Sequence, residues 1–186
     1  MAMRQSTNTR RQRGVTLIEQ VMTLIILAVL ASIAMPSLQK LLARNQLQVA
    51  QMDFIAAMRH ARETAVMSGK RSVLCPTTDG ASCSGGSRWD GGWLIGHDAD
   101  RNDQPDDKPL QVGSGYGRKL TILSNAGRHI ARFLPDGSAG GSNLTLLICQ
   151  PGSNNTALSV IVSNAGRIRG ARATAEQAAQ CTQASQ

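Results

Sequence analysis

Aromatic residues are nearly absent from this chain: two Trp, one Tyr and two Phe among 186 residues. The sequence is still 41% hydrophobic, so its apolar content is mostly Ala, Leu, Ile and Val, and much of it sits near the start. So few rings exclude the row of stacking platforms that grips single-stranded nucleic acid through its bases. Only three histidines occur, His60, His97 and His129, without paired-ligand spacing or a triad context. There is no phosphate loop, and GSGYG at residues 113–117 lacks the strand, helix and acidic partner of a dinucleotide site. These absences predict no enzyme, no cofactor and no metal centre. Acidic residues are scarce as well, 12 against 20 basic ones, giving a net charge of +8. Such a balance points to an acidic partner, nucleic acid or an anionic membrane. Arg4, Arg10, Arg11 and Arg13 all precede Gly14, however, and residues 15–186 keep 16 basic against 12 acidic groups, or +4. An anion site must therefore come from clustering rather than from bulk charge.

Four cysteines, Cys75, Cys83, Cys149 and Cys181, all follow the apolar segment. An even number confined to one side predicts disulfides in an oxidising compartment. Of the three possible pairings, Cys75–Cys83 and Cys149–Cys181 each close a local loop. Neither spacing resembles the paired short turns of a structural zinc site.

Residues 20–39 contain no charge, and as a helix they would cover about 30 Å, the thickness of a bilayer core. The basic segment before them would stay in the cytoplasm, sending the remainder across the membrane. RGVTLIE, residues 13–19, combines a basic leader, a glycine, an apolar residue and Glu19 ahead of that run. It resembles the processing site of type IV prepilins and type II secretion pseudopilins. The resemblance implies cleavage by a prepilin peptidase between Gly14 and Val15, N-methylation of Val15, and pairing of Glu19 with the new amino group of a neighbouring subunit during assembly. A carboxylate at the start of a membrane helix does need such a partner. Pro36 resembles the proline that kinks or locally melts pilin helices.

Beyond Pro36 the pattern becomes one-faced, with Leu38, Leu41, Leu42, Val49, Met52, Ile55, Ala56 and Val66 predicted to pack on a soluble head. Ser68-Gly69 predicts the helix stop. From residue 70 onward, strands are predicted over 72–75, 92–96, 120–123, 130–133, 143–149 and 158–162. The expected organisation is a leader over 1–14, a helix over 15–69 with its membrane part near 20–39, and a β-rich head over 70–186. This is an α+β fold with an antiparallel head. The segment HDADRNDQPDD, residues 97–107, has Asp103 and Pro109 at positions where a calcium loop needs glycine and glutamate, so it reads as a solvated acidic turn.

The segments WDGGWLIGHDAD, FLPDGSAGG and LTLLICQ, with ALSVIVSNAGRIR after them, resemble the head of the FimT, FimU and GspH group of minor pilins and pseudopilins. That resemblance implies the type IV pilin fold, other major and minor pilins as partners, and a place in the inner membrane with the head in the periplasm before assembly into a surface pilus. Residues 163–172, SNAGRIRGAR, hold Arg167, Arg169 and Arg172 with no carboxylate until Glu176. Period-two alternation sets Arg167 and Arg169 on one side, and a bend at Gly170 would return Arg172 to it. The stretch GRIRGAR also resembles an arginine motif of FimT pilins associated with DNA capture in natural transformation. It implies sequence-independent phosphate contact by Arg167, Arg169 and Arg172 with Gly166 shaping the turn. Arg118, Lys119, Arg128 and Arg132, placed on a neighbouring hairpin, would support it. A structural or priming pilin without DNA binding is the rival expectation.

Overall fold

The computed structural model describes residues 14, 16–125, 127–151 and 157–184; the predicted leader 1–13 and Val15 lie outside them. Two compact units divide at residues 41 and 42. A single helix, α1 (Leu17–Ser68), contributes to both. In the first unit its apolar side chains, Leu24, Ile25, Ile26, Leu27 and Leu30 among them, are exposed. The helix is long and apolar enough to cross a membrane. Glu19 lies in its first turn, where the helix dipole favours a carboxylate. The helix runs through Pro36 without interruption, so the expected local melting is not seen. It stops at Ser68 because Gly69 takes φ +66°, the left-handed geometry that glycine adopts without penalty.

In the second unit α1 buries Leu47, Ala50, Phe54, Ile55, Met58, Ala61 and Ala65. This corrects the predicted packing face: Leu42, Val49, Met52 and Val66 are exposed, and of the residues expected there only Ile55 is buried. Two stripes compete for the core along this helix. The stripe with Phe54 prevails because its alanines let strands approach closely while Phe54 packs beside Trp89, Trp93 and Tyr116.

Eight strands follow among the described residues: β1 (Ser72–Pro76), β2 (Gly92–His97), β3 (Gln111–Ser114), β4 (Thr121–Ser124), β5 (Ala131–Phe133), β6 (Leu144–Cys149), β7 (Ala157–Val162) and β8 (Ile168–Arg172). They form two antiparallel sheets, ordered β3-β2-β1-β5 and β4-β6-β7-β8. The main core gathers Phe54 and Met58 of α1 with Leu74, Ile95, Ile122, Phe133, Leu146, Ile148 and Val160 from both sheets. A second helix, α2 (Ala175–Ala184), opens with a reciprocal cap: Gln177 N–H donates to Thr174 Oγ1 at 3.2 Å while Thr174 N–H donates to Gln177 Oε1 at 2.9 Å. Disulfides join Cys75 to Cys83 and Cys149 to Cys181, the second tying α2 to the end of β6.

Candidate functional site

Residues 163–167 form a tight turn after β7. The Gly166 N–H donates to the Ser163 carbonyl at 2.8 Å, and the Ser163 N–H donates to the Arg167 carbonyl at 3.0 Å. Gly166 is buried with φ +75°, and a Cβ there would stand 2.0 Å from the Gly137 carbonyl oxygen. Only glycine fits this position. The same carbonyl accepts a 2.8 Å hydrogen bond from Arg62 Nε. The turn is thereby locked against α1 before the chain enters β8.

β8 is an edge strand, paired only with β7 and carrying an exposed cation where such edges need protection from further pairing. Its sequence runs straight through Gly170, which lies in register opposite Val160. The expected bend is therefore absent. Gly170 instead makes room for α1, since a Cβ would come within 2.9 Å of Gln51 Nε2 and 3.1 Å of Ile55 Cδ1. Gln51 Nε2 in turn donates to the Ser159 and Ala171 carbonyls at 2.8 and 3.0 Å, fastening the helix to β7 and β8.

Contrary to the sequence expectation, the three arginines therefore do not share one surface. Arg172 alternates with Gly170 toward α1 and lines a cleft of about 420 Å³ with Arg44, Leu47 and Gln48. Arg167 lines a second cleft, of about 280 Å³, with Arg59 and Arg62. Arg169 falls on the opposite side of the strand. All three are exposed, and among the described residues none has an ion-pair partner.

The second basic group does not join them. β4 sits at the far edge of the sheet from β8, about 14 Å away across three strand spacings, so Arg128 after it is remote. Lys119 lines a groove with Leu42, Val49 and Tyr116. Arg118 lies in the same 3₁₀ turn, Gly117–Lys119, and its side chain lies outside the described residues. Arg132 belongs to β5 in the other sheet and is engaged bidentately by Asp103, its Nε donating to Oδ1 at 2.7 Å.

That pairing also narrows the reading of residues 97–107 as a solvated turn, which holds for the exposed residues 99–102, 106 and 107 but not for Asp98 and Asp103. Asp98 is fully buried and meets Arg71 at 2.8 Å, and Arg71 also reaches Asp103. The Arg132 hydrogen bond holds the Asp103 carboxyl below the usual carboxylate range, against the opposing pull of burial. Burial pushes the Asp98 carboxyl up, with Arg71 opposing. Among the described residues, Asp98, Asp100 and Asp106 bring carboxylate oxygens within 4.8 Å of one another, a donor set of the kind that a cation needs. The three histidines lie apart, on α1, at the end of β2 and in the loop before β5.

Sequence reasoning passed over Arg44, Arg59 and Arg62. A signal was present: Arg44, Gln48, Gln51, Ile55, Arg59 and Arg62 recur at intervals of four and three and so form one helical stripe. Nothing in the sequence showed that β8 would lie beside this stripe.

The profile of the type II transport protein GspH matches residues 50–166, and that of the prokaryotic N-terminal methylation motif matches residues 9–35. The fold is similar to that of the type IV minor pilin FimU of Pseudomonas aeruginosa, with a TM-score of 0.57 and 24% identity over 72% of this chain and 92% of that one. A fimbrial protein of Pseudomonas aeruginosa is 37% identical over 68 residues, which are 37% of this chain and 44% of that protein. The type IV major fimbrial protein FimA of Dichelobacter nodosus is 41% identical over 64 residues, 34% of this chain and 40% of that protein. The chain spans less than half the length of either fimbrial relative. With a family profile covering well over half of its residues, an N-terminal methylation motif and a pilin fold, the chain belongs to the GspH family of type IV minor pilins and type II secretion pseudopilins.

Proposed function

We propose that this chain is a minor type IV pilin that binds extracellular DNA without regard to sequence and serves DNA uptake in natural transformation. The observation that carries this reading is the set of exposed arginines at the β8 edge, Arg167, Arg169 and Arg172, which have no ion-pair partner among the described residues and follow the buried Gly166 turn. Guanidinium groups that no carboxylate occupies are suited to phosphate oxygens. Contact with about three to five phosphates gives log affinity a slope of roughly −3 to −5 against log salt on duplex DNA. Weak binding by one subunit is multiplied when several copies stand in one filament.

Maturation in this reading begins with removal of residues 1–14 by a prepilin peptidase and methylation of Val15. The helix over 15–69 then holds the subunit in the inner membrane with the head, residues 70–186, in the periplasm. Glu19 pairs with the amino terminus of a neighbouring pilin as the filament assembles.

A second reading, a structural or priming subunit or a secretion pseudopilin without DNA binding, draws on a different observation. Leu42, Val49 and Met52 are exposed apolar side chains on one side of α1, suited to packing against other pilins. The two readings separate in cells carrying Arg167→Gln, Arg169→Gln and Arg172→Gln together. DNA capture predicts that uptake is lost while piliation stays normal. Unchanged uptake would favour the structural subunit.

A further inference from the structure

We infer that the DNA backbone lies along a groove between α1 and β8, gripped from the helix side by Arg44, Arg59 and Arg62 and from the strand side by Arg167 and Arg172. This rests on the DNA-binding reading above and identifies the surface that performs it. The strand runs antiparallel to the helix beside it, as three contacts in order show. Arg172 stands by Arg44 and Gln48, Gly170 by Gln51 and Ile55, and Arg167 by Arg59 and Arg62. Helix and strand thus contribute cations at both ends of one track, with the Gln51 bonds to Ser159 and Ala171 closing its floor between them.

The two ends are separated by about 16 Å along β8, taking roughly 3.3 Å per residue, and by about 22 Å between Arg44 and Arg59 on the helix. A single phosphate reaches only one end. A duplex, with one charge per about 1.7 Å of axis, presents phosphates to both at once. No acidic residue lines either cleft, and none of the five arginines has an ion-pair partner among the described residues. No aromatic residue lines the clefts either, so the groove reads the backbone and not the bases. Arg169, on the other side of β8, stands outside the track and contributes less than Arg172.

The test is a titration of labelled duplex DNA with the full-length chain in nonionic detergent, between roughly 50 and 200 mM salt. It compares wild type, Arg44→Gln/Arg59→Gln, and Arg169→Gln, each checked by thermal unfolding. Arg62 is left intact because its bond to Gly137 supports the turn. The groove predicts that the helix double variant has a salt slope shallower by about two, so the affinity lost across that salt range shrinks by about tenfold. Arg169→Gln changes the slope by less than one. If wild type binds and the helix double variant keeps its affinity and slope, the groove is wrong while DNA binding by β8 stands. The groove is equally overturned if that variant binds DNA normally but no longer enters pili, since these arginines then serve a neighbouring subunit. Failure of wild type to bind at the lowest salt overturns the DNA-binding reading and the groove together.

Discussion

Arginines meet two different fates in this head. Around residues 97–107, Arg71 and Arg132 are consumed by Asp98 and Asp103, forming a paired cluster that fixes a long loop against β1 and β5. At the β8 edge, Arg167, Arg169 and Arg172 have no ion-pair partner among the described residues, and the neighbours of Arg167 and Arg172 across the clefts are further arginines. The difference teaches that clustering along a sequence does not measure available charge. Arg132 looks as free in the sequence as Arg167, yet Asp103, 29 residues before it, neutralises it in the fold. The unpaired set, by contrast, is larger than the sequence suggested, because α1 supplies cations to it.

Each sheet carries one disulfide, at Cys75 of β1 and at Cys149 of β6, and removing each sharpens the contrast first. Cys149→Ser/Cys181→Ser opens a 32-residue separation and should cost about 4 kcal/mol of stability, whereas Cys75→Ser/Cys83→Ser opens only 8 and should cost about 2–3 kcal/mol. Denaturant unfolding of the two variants measures this order, and a larger loss at Cys75–Cys83 would contradict it. Next comes Gly166→Ala, expected to cost about 3 kcal/mol, because the new methyl meets the Gly137 carbonyl and the backbone is held at positive φ. A loss below roughly 1 kcal/mol would mean the turn yields easily and does not hold Arg167 in place.

Asp103→Asn gives a smaller effect with a pH signature. Its carboxyl titrates below the usual range, so its contribution is fully present above about pH 4 and is lost as pH falls through the lowered value. The variant should be less stable by about 1–2 kcal/mol at neutral pH, and the difference should close on acidification. Asp98 runs the other way. With a raised value, its contribution is present at low pH and lost as pH rises. A deficit of Asp103→Asn that grows toward acid would refute the pairing.

Much of the fold was legible in the sequence, and the failures have definite causes. The helix, six strands and the disulfide pairs each rested on a local signal: a long uncharged run, β-branched alternation between turn residues, and short loop closures. β3 was missed because Gln111, Val112, Gly113 and Ser114 form an edge strand with little buried on either side. β8 was legible only as a short extended piece before a bend at Gly170, because only Ile168 packs against the core and the strand's arginines mask the alternation beyond it. α2, rich in Ala and Gln, offers no apolar stripe and is held by its cap and by Cys181. The buried face of α1 was misread because Leu and Val outrank Ala in hydrophobicity, yet close packing selected the stripe with Ala50, Ala57, Ala61 and Ala65. In the candidate site, the arginines of β8 and the glycine turn were visible. What was not visible was the role of Gly170 as a place for Gln51 and Ile55, and with it the division of the arginines between two sides of the strand.

The most direct test of paired against unpaired arginines measures two quantities on two variants of the full-length chain, Arg132→Gln and Arg172→Gln. The account predicts a crossed result. Arg132→Gln loses about 1–2 kcal/mol of stability with DNA affinity unchanged, whereas Arg172→Gln keeps its stability within about 0.5 kcal/mol and loses DNA affinity with a salt slope shallower by about one. DNA binding that weakens with Arg132→Gln and persists with Arg172→Gln would contradict it.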